Sequence, residues 1–460
     1  MTAMTSAAPP YEFDIAIVGG GASGVMTALQ LLRRARTAQR IVMVEPASDI
    51  GEGVAYATRR PEHLLNVPAG KMSLFPDVPD DFVDYLRSIG QDDPALPRRY
   101  VPRLHYAGYL RDRLARARGD SPATLEIQQG RVASLAREGA GWILGLQDGA
   151  ALRVGAVVLA VGNAPRPLPV RGAGALDRVQ RLEAWDTAAV AALPVQSSLC
   201  VVGSGLTMVD VAITRDSCGQ QAPLHVVSRH GLMPLPRADT PPFEFDPQPL
   251  LSMTLRQRVC ALRQQAKAAQ AQGWPWQSVM ERVRPMVRPL WQSLDFDDQR
   301  RFLRHVARYW DVHRHGIDPA LHAQLSAMQA RGALVLHRAR LDAVWPTGAC
   351  VQVEARDVRG HALRLEVQGV LNATGVEMRV QAMRNPLLQQ LLGEGHAVPG
   401  PHGIGIDADA EGRVIAADGH AEPSLRVIGS LRIGREWESL AVPELRVQAE
   451  AIAAGLYPAF

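Results

Sequence analysis

Phe13-Asp-Ile-Ala-Ile-Val-Gly-Gly-Gly-Ala-Ser-Gly24, followed by an apolar helical stretch and then Arg40-Ile-Val-Met-Val-Glu45, decides the fold. Ile15, Ala16, Ile17 and Val18 form a short apolar run of the kind that makes a strand buried on both faces. Gly19, Gly21 and Gly24 then give the spacing G-x-G-x-x-G. The first glycine permits a tight turn, the second lets backbone approach a pyrophosphate, and the third packs helix against strand. The helix that follows therefore begins beneath a diphosphate, which its free N–H groups and positive dipole end can hold without a basic side chain. Glu45 closes the second strand 21 residues after Gly24. A carboxylate there accepts hydrogen bonds from a ribose diol, so the stretch predicts an unphosphorylated ribose, as in FAD or NAD.

The same pattern returns at Leu199-Cys-Val-Val-Gly-Ser-Gly-Leu-Thr-Met-Val-Asp210, with Gly203 and Gly205 in the first two glycine positions and Met208 in the third. Its second strand, Leu224-His-Val-Val-Ser-Arg-His230, ends without an acid. Ser228 and Arg229 stand where Glu45 stood, and an arginine there can pair with a ribose 2′-phosphate, which points to NADPH. Thr207 lies in the first turn of the intervening helix.

Other stretches fall into place around these two units. The long, weakly periodic connection through Leu64-Leu-Asn-Val-Pro-Ala-Gly-Lys-Met-Ser73 reads as a loop along a bound cofactor, offering Asn66, Lys71 and Ser73. Helices are expected at 79–90 and 98–118, the second contributing Arg103, and strands at 124–147. The run Leu152–Asn163 reads as a buried strand ending in a small-residue turn at Gly162, and Pro165, Pro167 and Pro169 mark a linker. Residues 251–331 read as helices without strands, and strands resume at 333–345, 350–357 and 363–371, the last entering Asn372-Ala-Thr-Gly375. Thr374 and Gly375 bring backbone to a cofactor at a sheet's carboxyl edge. A strand through Leu425-Arg-Val-Ile-Gly-Ser430 and a helix from about Pro443 to Leu456 complete the first sheet, placing Gly429 and Ser430, with Ser23 of the opening turn, among the cofactor contacts. The expected architecture is α/β: two Rossmann-like dinucleotide-binding domains with a helical insertion. Residues 1–165 and 376–460 form the FAD domain, and 166–375 form the NADPH domain, with the insertion at about 240–331.

Composition narrows the function classes. The 460 residues are 47% hydrophobic with a net charge of +4, and the bases are interspersed with acids, so nucleic acid is not an expected partner. Only Lys71 and Lys267 among the 50 basic residues are lysine. Cys200, Cys218, Cys260 and Cys350 lie far apart, without the paired spacing of a disulfide reductase or a metal site. No basic, apolar leader precedes Phe13 and no run reaches 18 apolar residues, so a cytoplasmic location without a membrane partner is the expectation. Oligomeric state is not legible.

Two phosphate-binding units, an Ala-Thr-Gly turn and a terminal strand-turn-helix resemble the two-dinucleotide-binding flavoproteins, in particular the branch of N-hydroxylating and flavin-containing monooxygenases. Gly53-Val-Ala-Tyr56, Leu65-Asn-Val-Pro-Ala69, Gly205–Asp210, Ser228-Arg229, Tyr309–His315 and Glu438–Arg446 are similar to a bacterial family of FAD/NAD(P)-binding proteins. The resemblance implies FAD at Gly19, Gly21, Gly24 and Glu45, and NADPH at Gly203, Gly205, Thr207 and Arg229. It departs at Gly429-Ser430, where the broad class often has Gly-Asp, and at Val376, where a tyrosine often follows Ala-Thr-Gly.

The implied reaction is a monooxygenation, in which NADPH reduces FAD and O₂ then delivers one oxygen atom to a nucleophilic substrate atom. No protein nucleophile or acid–base pair is legible, as expected where the cofactor carries the chemistry. Arg288, Arg304, His313, Arg314 and His315 are candidates to hold an anionic substrate, with a carboxylate-bearing amine such as aspartate as the expected class. Two rival readings use the same motifs: an NAD(P)H dehydrogenase passing electrons to a quinone or a protein, and a non-catalytic flavin sensor.

Overall fold

Two parallel sheets, each wound from a strand, a glycine turn and a helix, organise the computed structural model, which describes residues 11–457. The Pro9-Pro10 segment read as carrying no leader lies outside them. In the first sheet the order is Arg413–Ile415, Ala421–Val427, Ala151–Leu159, Phe13–Val18, Arg40–Glu45 and Thr124–Gln129. The five strands from Ala421–Val427 to Thr124–Gln129 are parallel. The hairpin Val132–Glu138 and Gly141–Leu146 joins the amino-terminal half of Ala151–Leu159, leaving that strand's last three residues for Ala421–Val427. The carboxy-terminal segment thus returns to the sheet begun at Phe13.

The second sheet runs Ala362–Val367, Cys350–Asp357, Leu334–Thr347, Leu224–Ser228, Leu199–Val202, Gly369–Asn372 and Arg181–Glu183. Leu334–Thr347 pairs in parallel with Leu224–Ser228 over its first five residues, then antiparallel with Cys350–Asp357, with a register shift between Leu341 and Ala343. A strand read as continuous over 363–371 divides at Gln368. Its first part is the antiparallel edge, and Gly369–Asn372 is a parallel strand between Leu199–Val202 and Arg181–Glu183.

Each sheet has apolar side chains on both faces, as helices over parallel strands require. Ile15, Ile17 and Ile41 face the helix Ala22–Arg34, while Ala16, Val18 and Val42 face the side of Leu387 and Leu391. In the second sheet Leu199, Val201 and Val226 face the helix Leu206–Ser217, and Cys200, Val202 and Val227 face the antiparallel strands. The helix Pro319–Ala330, read from the sequence as part of the insertion, buries Leu325 and Met328 in the core of this second sheet. The helices not packed into either sheet therefore run from Gln248 to Arg314. Among the described residues no helix is long and apolar enough to cross a membrane.

Both connections between the sheets pass side by side: Ala164–Pro165 and Val376–Glu377 form a two-stranded antiparallel ribbon. His63 and Arg103 pin the units further. The His63 ring is 2.7 Å from the Thr214 hydroxyl, and Arg103 makes a 2.5 Å ion pair with Asp210.

Gly24 shows how tightly the first unit is built. A Cβ there would lie 1.9 Å from the Gly19 carbonyl oxygen and 3.0 Å from its carbon, an overlap with backbone that no side-chain movement relieves. Gly24→Ala is expected to destabilise the fold by about 3 kcal/mol or more, at the upper end of overpacking costs, read as a shift in the urea midpoint.

Candidate cofactor and substrate site

The two glycine turns are built alike, contact for contact. Gly19 holds φ +110° and Gly203 φ +109°, and a Cβ on either would press into a carbonyl of the neighbouring strand's end, at 2.4 Å from Ala160 and 2.3 Å from Ala373. The N–H of Gly19 donates to Val44 and that of Gly203 to Val227. These glycines are required by the chain itself. Gly21 and Gly205 are not: φ is −68° and −87°, with no atom closer than 3.5 Å and 3.9 Å to an added Cβ. Glycine at a position that the folded chain would let alanine occupy fits a ligand's close approach, and both residues sit at helix N-termini with no side-chain cap and no acid in the first turn.

The acidic and basic ends of the two units differ as the sequence reading expects. Glu45 accepts the Gly20 N–H at 2.6 Å on one carboxylate oxygen and the Ala47 N–H at 2.9 Å on the other. The carboxylate is thereby fixed at the end of its strand with lone pairs left for hydroxyl donors. At the matching place in the second unit the Ser204 hydroxyl donates to Ser228 at 2.8 Å. Arg229 beyond it is exposed. Burial, and then the positive charges of Arg229, Arg308 and Arg338, hold the His230 imidazole below the ordinary histidine range. Arg308 comes from the insertion and was not found in the sequence. Its guanidinium nitrogens lie 3.9–4.0 Å from the space over Gly205.

The remaining candidates divide. Gly162 and Gly375, at φ +70° and +91°, follow equivalent strands of the two sheets, with open space where a Cβ would stand. The Ser430 hydroxyl donates to the Gly162 carbonyl at 2.6 Å, and Ser23 Oγ lies 3.0 Å from the Cβ position of Gly429, so these four meet around the first helix N-terminus. Thr374 donates to its neighbour Asn372 at 2.7 Å, and Thr207 accepts from Trp185 at 3.3 Å. Asn66 gives its carbonyl to Arg237 at 2.5 Å, and Lys71 is 3.6 Å from Glu281, so the loop is tied to the insertion. The buried Ser73 hydroxyl is engaged within its own loop, donating to the Val78 carbonyl at 2.6 Å and accepting the Phe75 N–H at 3.0 Å.

The five anion-binding candidates do not form one site. Arg288 lies 3.6 Å from Glu436, and Arg304 is exposed on a π-helical turn, Phe302–Val306. Arg314 is buried and paired with Glu438 at 2.8 Å. Burial, and then Arg314, Arg237 and Arg284, push His315 down to about 3. The structure thus gathers Arg314 and His315 with Arg237 and Arg284, two arginines the sequence did not single out. Arg314 Nε and Gln277 Oε1 are buried without hydrogen-bond partners, as are Arg103 Nε, Arg446 Nε, Glu444 Oε2 and Asn163 Oδ1 among other atoms of the described residues. Such groups are costly unless a bound molecule satisfies them.

The neutral state of His315 has a thermodynamic consequence. Its folded value lies below the ordinary 6.5, so the unfolded chain takes up a proton that the folded chain refuses, and stability is lost as pH falls through 6.5 toward 3. The contribution is about 1.4 kcal/mol per pH unit in that window. Urea unfolding of His315→Asn should show a smaller loss between pH 7 and pH 5 than the parent, and equal losses would place the imidazole in a solvated setting.

Residues 16–164 match a family model described as FAD-NAD(P)-binding. No sequence among the curated proteins matches the chain. Among solved structures it is similar to ornithine hydroxylase from Pseudomonas aeruginosa, at 16% identity and TM-score 0.68, with 97% of this chain and 98% of that one covered. L-lysine 6-monooxygenase from Pseudomonas syringae aligns at 18% identity and TM-score 0.67, covering 97% and 99%. The thioredoxin reductase of T. acidophilum aligns at 12% identity and TM-score 0.54, covering 97% of each chain. The chain has the fold of the two-dinucleotide-binding flavoproteins.

Proposed function

We propose that the protein is an NADPH-dependent, FAD-containing monooxygenase that oxidises the nitrogen of an amine bearing a carboxylate. The observation that carries the reading is the pair of glycine cradles, equal in backbone and different in sugar recognition: a pinned Glu45 in the first, and Ser228 with Arg229, Arg308 and Arg338 in the second. The former suits the adenosine ribose of FAD and the latter the 2′-phosphate of NADPH. Support for an oxygenase comes from the full-length likeness to ornithine and lysine hydroxylases, which exceeds that to thioredoxin reductase. The four cysteines are also free.

FAD, when bound, supplies the hydride acceptor and the site of dioxygen activation. The chain's part is to bind, orient and keep water out. Glu45 orients the ribose at one end, while Gly162, Gly429 and Ser430 border the other end of the first cradle. Arg229 and Arg308 hold the reductant by its phosphates, and the insertion, tied down through Arg237, Glu281 and Arg314, covers the junction. The net change is RNH₂ + O₂ + NADPH + H⁺ to RNHOH + NADP⁺ + H₂O. An amine that carries a carboxylate suits the Arg237, Arg284 and Arg314 cluster, and aspartate is one member of that class.

Three outcomes test this reading. Gly21→Val should stay folded by circular dichroism yet lose its flavin, because the branched side chain occupies space the protein leaves open. Anaerobic stopped-flow reduction should be faster with NADPH than with NADH. Arg229→Ala should erase roughly tenfold or more of that preference, the worth of a charge-assisted contact, and equal rates in the parent protein would refute the NADPH assignment. After reduction and mixing with O₂, NADPH consumption should yield hydroxylamine in proportion. Peroxide alone with every amine, or efficient quinone reduction without oxygen incorporation, would replace the oxygenase reading with that of a dehydrogenase.

A further inference from the structure

Beside the arginine cluster, the helical insertion lines a partly open cavity of about 460 Å³. Volumes of roughly 300–1,000 Å³ are usual for small-molecule sites. Its walls are largely apolar and aromatic, with Trp276, Trp291, Trp310, Trp437, Phe302 and Leu262 among them. Through Trp276, Met280 and His313 it shares its border with a recess of about 20 Å³ that Arg237, Glu281, Gln277 and Arg314 line. Two of the buried polar atoms without partners belong to residues that line that recess: Arg314 Nε, a donor, and Gln277 Oε1, an acceptor. The Gln277 amide nitrogen already donates to Pro236 at 3.2 Å, and a terminal nitrogen of Arg314 already meets Glu438 at 2.8 Å. What is left over is one acceptor-seeking and one donor-seeking group at the mouth of an apolar chamber.

The chamber is also clamped to the flavin side of the molecule. Trp437 holds φ +62°, a left-handed backbone that a bulky side chain rarely adopts. It is fixed there from both sides: Glu436 accepts from Arg432 at 2.5 Å and from Gln448 at 2.8 Å, and Glu438 accepts the Trp310 indole N–H at 2.9 Å. In that posture the Trp437 indole lies against Trp291, with ring centroids 5.3 Å apart, and meets Phe302 edge-on at 4.9 Å. The segment that begins with the cofactor-bordering Gly429 and Ser430 thus ends by forming a wall of the cavity.

Resting on the oxygenase reading above, we propose that its substrate is an amino acid with a bulky apolar side chain, bound in the insertion. The carboxylate takes the Arg314 Nε–H, the amine donates to Gln277 Oε1 with Glu281 nearby, and the side chain lies among the tryptophans. Aspartate fits this site poorly, because its short side chain leaves the aromatic and aliphatic wall of the cavity uncovered. The geometry therefore selects apolar amino acids within the broader class of carboxylate-bearing amines.

The test uses the FAD-loaded protein without NADPH, because four of the eight tryptophans line the cavity and report its filling by fluorescence. L-2-aminooctanoate should give saturable quenching, with at least tenfold weaker binding for octylamine, octanoate and L-aspartate. Ala266→Phe, which places a ring in the cavity from an exposed-side helix, should weaken aminooctanoate at least tenfold with flavin content unchanged. Gln277→Leu should make aminooctanoate and octanoate bind alike. Aspartate binding as tightly as aminooctanoate, or quenching unaltered in Ala266→Phe, would overturn the assignment, as would octylamine and octanoate binding as well as the zwitterion. Adding NADPH separates the two claims. Saturable, head-group-selective binding without substrate-dependent NADPH consumption leaves the site standing and removes the oxygenase reading. Amino-acid oxidation that proceeds equally in both variants does the reverse.

Discussion

The contact between Gly19 and the carbonyl of Ala160, repeated between Gly203 and Ala373, is the constraint from which the structure follows. In each unit the chain must leave a parallel strand, reverse within two residues, and start a helix packed on the same sheet. A left-handed residue is needed at the reversal, and the neighbouring strand's end lies so close that no side chain fits. Strand, turn, helix and the adjacent strand's end are thereby fixed as one object. The open edge of that object is a helix N-terminus flanked by two strand ends, where backbone N–H groups converge and ligand specificity is left to residues such as Glu45 or Ser228 and Arg229.

This is why so much was legible in the chain. Gly19 through Glu45 and Gly203 through Arg229 are contiguous, and their chemistry is decided by neighbours a few residues away, so residue type and spacing carry it. The return of the terminal segment to the first sheet was legible for a similar reason, since Leu425–Val427 had to be buried and could not stand alone. The limits of such reading fall where a side chain's partner is distant in sequence. Arg308 reaches the second cradle only because the insertion folds back over it. Arg237 and Gln277 belong to the recess because Asn66 and Pro236 happen to hold them there. A π-helical turn at Phe302–Val306 carries no period that marks it in the sequence. Gln368 broke a run of residues that alternation alone would have kept as one strand.

The arginines illustrate the same lesson in energetic terms. In a chain with two lysines, basic residues at positions 288–315 say little by number. Burial distinguishes them: Arg314 is inside and paired, Arg304 is outside, and Arg288 reaches Glu436 from a half-exposed position. A buried guanidinium cannot lose its proton, so it demands acceptors, and an unsatisfied Nε next to an apolar chamber is more informative than any count of charges.

The ribbon formed by Ala164–Pro165 and Val376–Glu377 has a mechanical consequence. Two strands held side by side resist sliding and stretching but twist readily, so they act as a torsion bar between the sheets. What stops the bar from turning is mostly polar: Arg103 with Asp210, His63 with Thr214, Lys71 with Glu281, and Arg237 with the Asn66 carbonyl. These contacts are directional, so each holds only at a narrow range of angles. The insertion meets both halves, sharing a wall with the terminal segment through Trp437 and reaching over Gly205 through Arg308, so it is seated from either side of the bar.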